Sequence, residues 1–249
     1  MTKGMRKDFQ REIKLNFSRF LSITLIVVLG VAFFSGLRAA KPAMQASADK
    51  QYDSENLMDI RVAGTLGMTD KDVDALKKVD GVQDAEGTYE QDFLCDTGNS
   101  EAVTKVMSLN DGISLVRVSE GRFPQGYNEC IADRSFLDAT GYKIGDTVKL
   151  TTGTDEKVSK YLATDEFTIV GVGTTSMYMD SDRGSAAIGT GRINGFLIVP
   201  KQAFTMSCYT SVHITVKDAM ALGCYSNDYT ELISKVKDRI NGIATDAAT

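Results

Sequence analysis

Hydrophobic and polar positions follow three different rhythms along this chain. From Phe20 to Leu37, 18 consecutive residues carry no charge. As a helix that run is ~27 Å long at 1.5 Å per residue, close to the ~30 Å hydrocarbon core of a bilayer. A soluble core helix would keep a polar face, and this run has none. Ahead of it, Met5, Phe9, Ile13, Phe17 and Phe20 recur at spacings of three or four among charges. That stripe predicts an interfacial amphipathic helix over residues 1–19, leading into a membrane helix over residues 20–40. Pro42 is expected to break the helix and open a stalk over residues 41–56.

Past residue 56 the periods shorten. "LMDIRVAG" alternates as a strand does. "TDKDVDALKKVDG" has Thr69 as N-cap, Asp72 in the first turn, an apolar stripe of Val73, Leu76 and Val79, and Gly81 to end it. "VQDAEGTYEQDFLC" then returns as one long extended segment, which gives a β-α-β unit over residues 57–95. Between residues 100 and 200, short β-like runs ("EAVTKVMSL", "NECIAD", "DTVKLT", "EFTIVGVG", "FLIVP") are separated by Gly, Asp and Asn turns, with one short helix from Arg134 to Ala139. "SCYTSVHITVK" reads as a strand with Val212, Ile214 and Val216 on one face. "NDYTELISKVKDRINGI" reads as an amphipathic helix capped by Asn227 or Asp228. The assembly predicted is an α+β protein. A ferredoxin-like α/β subdomain from residues 57–97 and 205–249 receives a β-rich insertion from residues 98–204. The chain is also expected to be part of something longer, because no closing element follows its last helix.

Charge sharpens the picture at the N-terminus. The first 20 residues hold six basic and two acidic side chains, although the 249-residue chain has a net charge of −5. A basic lead before an apolar run fits either a retained span or a secretory signal peptide, and Ala46-Ser47-Ala48 resembles a cleavage site. The apolar run exceeds the usual h-region, the lead is patterned, and Ala46 lies far beyond the run; all three favour a retained span. Lys3, Arg6, Lys7, Arg11, Lys14 and Arg19 then place the N-terminus in the cytoplasm and the main domain outside the cell membrane. An acidic outer portion excludes a nucleic-acid partner.

Candidate chemistry is sparse. His213 is the one histidine, so multi-histidine metal sites are excluded, and a surface or half-buried strand position suits it better than a catalytic base. Cys95, Cys130, Cys208 and Cys224 lack C-x-x-C spacing. Disulfides and free thiols both remain open. "TDKDVD" and "GTDE" lack the order of a calcium loop. The glycine-rich "DRGSAAIGTGRINGFLIVP" suggests a phosphate cradle, but it has neither G-x-G-x-x-G nor G-x-x-x-x-G-K-[ST], and it precedes a β-like run rather than following one. No catalytic, cofactor-binding or metal residues are assigned, and no enzyme activity is expected. Met177, Tyr178 and Met179 form either an adaptable partner contact or ordinary packing. Arg183 and Arg192 either tie the glycine loop to acidic neighbours or meet a partner.

The order of motifs resembles a known family. "NFSRFLSITLIVVLGVAFFSGLRAAKPAM", "ADKQYDSENLMDIRV", "GMTDKDVDALKKVDGV", "EGRFPQGYNECIAD", "YKIGDTVKL", "FTIVGVG" and "RGSAAIGTGRINGFLIVPKQAF" follow one another as in FtsX-like ABC-transporter permeases with a MacB-type extracytoplasmic core domain, of the large Gram-positive kind. The resemblance covers essentially the whole chain. It implies an outer domain with an α/β "porter" part and a β-rich "sabre" part, a separate cytoplasmic ABC ATPase subunit as partner, contact with membrane lipid, and a second permease copy. It implies transport or mechanotransmission powered from below. The family core has four membrane helices and this chain has one, so the resemblance is to an N-terminal portion. A single-pass extracellular binding or sensor module without an ATPase is the alternative.

Overall fold

The computed structural model describes residues 11–97, 101–179 and 182–246, with side chains to residue 242. The predicted stripe residues Met5 and Phe9 lie outside the described residues. The chain divides into two compact units, residues up to Ala48 and residues from Asp49 onward. It is a mixed α+β protein with one N-terminal apolar helix followed by a sheet-rich domain.

Residues 11–15 are helical, Asn16 is a turn, and α1 (Phe17–Ser54) follows. Leu25, Ile26, Leu29, Phe33 and Phe34 are each more than half exposed. This helix is long and apolar enough to cross a membrane. It does not stop at Pro42, as the sequence led us to expect, but runs on to Ser54. Proline removes one amide donor, and Ala39, Ala40, Ala43, Ala46 and Ala48 around it are the strongest helix formers. The expected stalk over residues 41–56 is therefore mostly helix.

The first part of the second unit is a three-stranded sheet of β1 (Ile60–Val62), β2 (Val82–Thr88) and β10 (Ser211–Val216). Its order is β1-β10-β2, with both pairings antiparallel. The helix α2 (Asp70–Lys77) joins β1 to β2, so the β-α-β unit is split by β10. The carboxylate of Asp72 accepts from the Thr69 amide and hydroxyl, both at 2.7 Å, forming the predicted cap. The helix ends at Lys77, short of Gly81. Val73 and Leu76 of α2 join Val212, Ile214 and Val216 of β10 and Val236 and Ile240 of α4 (Asn227–Asp246) in one apolar cluster. The cap of α4 is Ser226, one residue before those predicted: its hydroxyl accepts from the Tyr229 amide at 3.1 Å.

The other sheet holds β3 (Glu90–Asp96), β4 (Glu101–Leu109), β5 (Val116–Gly121), β6 (Glu129–Ala132), β7 (Thr147–Thr151), β8 (Glu166–Thr175) and β9 (Ile193–Pro200). Its order is β5-β8-β6-β9-β4-β3-β7, and β7 also pairs with β8. Six strands therefore close into a barrel, with β5 attached to β8. Phe93, Val106, Val148, Leu150, Phe167, Ile169, Leu197 and Val199 fill it, together with Phe136 and Leu137 of α3 (Arg134–Thr140). Asp133 caps α3 by accepting from the Phe136 amide, and Gly141 closes it at φ 80°.

One expected boundary moves. The segment read as a single extended run is two strands in two sheets, separated by Tyr89. β2 pairs with β10, whereas β3 pairs with β4 and β7. Residues 90–96, assigned from sequence to the α/β part, belong to the barrel. Alternation reports a strand but not its sheet. The Tyr89 ring marks the crossing, stacked 5.0 Å from Phe204 and tilted at 44° to Tyr209, 4.9 Å away.

Candidate functional site: a polar seam at the end of the long helix

With no nucleophile, metal set or cofactor pocket named by the sequence, the feature to explain is where the long helix ends. α1 stops at Ser54, and Glu55 and Asn56 turn the chain, with Asn56 at φ 44°. Glu55 is 3% exposed. Its carboxylate accepts from the Ser176 amide at 2.7 Å and hydroxyl at 2.6 Å, just past β8. Arg117 of β5 stands 3.6 Å from its other oxygen. A buried carboxylate needs such partners, because desolvation without them is costly.

The same turn grips the connection between β4 and β5, residues 110–115. The Ser114 amide donates to Asn56 O at 2.8 Å, and the Leu115 amide donates to Glu55 O at 2.7 Å. The Asn56 side chain donates to Gly112 O at 2.7 Å. On its other side this loop receives Glu86 of β2, whose carboxylate accepts from the amides of Asp111 (3.0 Å), Gly112 (3.0 Å) and Ile113 (2.9 Å). Lys201 completes the shell around Glu86. Burial disfavours the charge, but Lys201 and the amides outweigh it and hold the carboxyl below its usual range.

Glu86 belongs to the second face of the small sheet. Arg61, His213 and Glu86 sit opposite one another across β1, β10 and β2. This face meets the barrel through polar groups. Arg61 pairs with Glu90 at 2.8 Å and donates to Ser211 at 3.2 Å. The hydroxyls of Thr88 and Ser108 lie 3.0 Å apart, and the Glu90 amide donates to Thr210 at 2.8 Å. The small sheet thus has an apolar face toward its own helices and a polar, ion-paired face toward the barrel. Seams of this kind resemble interfaces between parts that move.

His213 lies in the middle of that seam and is fully buried, not surface or half-buried as its strand pattern suggested. β10 is the central strand, with the helices packed on one of its faces and the barrel seam on the other. The Asn110 amide nitrogen, which donates to Ile113 O at 3.1 Å, stands 3.4 Å from His213 Nδ1. Nδ1 then accepts and Nε2 carries the proton, with no partner among the described residues. Burial, then the positive charge of Arg61, push the imidazole down to about 4.

The residues singled out from sequence gather near α3 rather than at this seam. Met177 and Tyr178 are half-buried and pack on Met107, Ile131, Phe196 and Ile198, while Met179 stays exposed. Arg183 turns inward. It meets the carboxylate of Asp133 at 3.0 Å, donates to Tyr178 O at 3.1 Å and to Ser135 at 3.2 Å. Arg192 is exposed on the far side of the loop, where residue 185 bridges to it. The glycine-rich loop is a lid on the barrel wall: Ala186 and Ile188 pack over Leu94, Val103 and Ile193. Gly189, at φ 55°, lies so close that an added Cβ would meet Leu94 at 2.6 Å and Val103 at 2.9 Å. All four cysteines are free thiols, two of them buried.

Glu55, Asn56, Glu86, Asn110 and Lys201 were missed by sequence reasoning. "NDG" at residues 110–112 is a turn signal that could have marked the loop. Glu86, inside "QDAEGT", carries no signal of its role.

No family model matches the chain, and no curated protein matches it. Among the solved structures to which it is similar are two extracytoplasmic domains. One is the extracellular domain of the noncanonic ABC-type transporter YknZ from Gram-positive bacteria, 13% identical over 70% of this chain and 88% of that one, with a TM-score of 0.42. Another is the periplasmic region of MacB from Actinobacillus actinomycetemcomitans, 12% identical over 74% of this chain and 82% of that one, with a TM-score of 0.39.

Proposed function

We propose that the chain is the membrane component, or permease, of an ABC transport or mechanotransmission system. Its N-terminus is cytoplasmic, its sheet-rich domain is extracytoplasmic, and a separate cytoplasmic ATPase drives it as part of a longer permease. The observation that carries this reading is the continuity of α1. One helix contains the whole apolar run and ends at Ser54, directly before the turn that is hydrogen-bonded to the β4–β5 loop and to Ser176 just past β8. A helix built this way can carry displacement, whereas a flexible stalk would absorb it. The ordered motif series supports the same class.

The test is co-purification of the full gene product in mild detergent with the ABC ATPase encoded beside it. Stable association supports the permease. A membrane-anchored protein that never recruits an ATPase favours the single-pass binding or sensor module. Membrane-impermeant maleimide applied to intact cells tests orientation: Cys208 should react from outside.

A further inference from the structure

The small sheet has two edge strands, and the end of α1 reaches both. It reaches β1 along the chain, because only Leu57, Met58 and Asp59 separate Asn56 from Ile60. It reaches β2 through space, by way of loop 110–115. Gly112 is the crossing point: its carbonyl accepts from Asn56 and its amide donates to Glu86. Asn56 and Ser114, the two residues that clasp each other at this joint, both hold left-handed backbone, at φ 44° and 57°. Non-glycine residues take that conformation at a cost, and persist in it when surrounding contacts impose it.

At β10 the helix end is held by Asp59, which accepts from the Val216 amide at 2.7 Å, and beyond β10 by Asp49 of α1, which accepts from the Cys224 amide at 2.8 Å. The loop adds an attachment at the opposite edge, β2, which those bonds do not reach. We propose that loop 110–115 is a strut, through which a displacement of the end of α1 is delivered to β1 and β2 together. The small sheet and the loop then follow the helix end together. Glu86, seated on three loop amides and paired with Lys201, is the bond that passes the displacement on to β2, and the apolar core on the sheet's other face keeps β1, β10 and β2 together. The inference concerns the anchored chain and does not depend on an ATPase, so it can fail or hold independently of the function proposed above.

Hydrogen exchange read by mass spectrometry, on the full chain in lipid nanodiscs, tests it. Asn56→Gly keeps the left-handed turn but removes the bond to Gly112. A strut predicts about tenfold faster exchange at Asp111–Ile113 and also along β2, to which Asn56 donates no bond, with β4 and β9 unchanged. Lys201→Met loosens the Glu86 seat without touching the helix end. It should speed exchange in the same two segments while Ser114 and Leu115 stay protected. Should Asn56→Gly disturb the barrel strands, the Lys201→Met comparison decides alone. Wild-type exchange along β2 in whichever variant retains a protected barrel overturns the strut.

Discussion

Arg183 and Asp133 form an ion pair at 3.0 Å with side-chain exposures of only 12% and 2%. The pair pins the glycine-rich segment to the start of α3. One oxygen of Asp133 accepts from the amides of Phe136 (2.8 Å) and Phe196 (3.1 Å), and the other accepts from Arg183. The guanidinium also lies 5.5 Å from the Phe196 ring centre. An arginine that the sequence offered to a partner is thus occupied within the fold.

Arg183→Met should therefore be strongly destabilising. Removing one member of a buried pair costs about 3–5 kcal/mol, which for a domain of this size lowers the melting temperature by roughly 10 °C. The double variant Arg183→Met/Asp133→Asn should recover part of the loss, because no uncompensated charge remains. Thermal melts of the three proteins check this; a wild-type melt for Arg183→Met would refute it. Arg192→Ala, on the exposed side, should change stability by no more than about 0.5 kcal/mol. Neither variant should alter nucleotide affinity, and measurable ATP binding by the outer domain would contradict the structural account of the loop.

Gly195 tolerates no side chain. A Cβ there would lie 2.5 Å from Asp133 Oδ1, 2.5 Å from Phe136 Cβ and 2.6 Å from Phe136 Cα. The last of these is backbone and cannot rotate away. Gly195→Ala should cost about 3 kcal/mol, the upper end of the usual overpacking cost, and should appear as a lowered yield of soluble folded protein. A folded variant with an unshifted denaturation midpoint would show that α3 can slide.

Stability should depend on pH through His213. In the unfolded chain its imidazole titrates near 6.5, and in the fold near 4. Between those values the unfolded state binds a proton that the native state refuses, so stability rises with pH from about 4 to about 6.5 and is level above. The contribution is about 3 kcal/mol at most. Arg61 and Glu86 flank the ring across the sheet, Lys201 lies beyond, and the net field disfavours the cation. Urea denaturation at pH 5 and 7.5 measures the slope, and His213→Asn should reduce it by about one proton. Equal slopes for the two proteins would remove His213 as the cause.

The thiols should react in a fixed order. Cys208 is half-exposed and should be alkylated first. Cys224 is also half-exposed, but burial and the neighbouring Asp49 push its thiol up to about 12, so it should lag. Cys95 and Cys130 lie inside the barrel cluster and should react only on unfolding. Mass spectrometry after timed maleimide exposure reads the sequence of events. Early labelling of Cys130 would mean that the barrel opens.

Much of the architecture was legible because it rests on local signals. The apolar run, the Thr69–Asp72 cap, the short helix ended by Gly141 and the Val212–Ile214–Val216 face each follow from spacing within a few residues. What escaped depends on contacts distant in sequence. Nothing near Tyr89 says that the chain changes sheets there. Nothing near His213 says that β10 is central and covered on both faces. β5 was missed because "VRVSEG" has half its length in polar residues, and it is a strand chiefly because β8 offers it an edge. The seam was the least legible part: Glu55, Glu86 and Lys201 look like ordinary surface charges until the fold brings the two carboxylates against backbone amides and the lysine against Glu86.

β8 carries more than its own place in the sheet. One of its edges serves β7 through Glu166–Thr168 and then β5 through Gly171–Thr175, while its other edge serves β6. A one-residue insertion within it would turn side chains from the barrel interior to the outside and shift the register of its partners. Length variation in descendants of this sequence is therefore confined to the connections. β8 can change its residues over evolutionary time, but not their number.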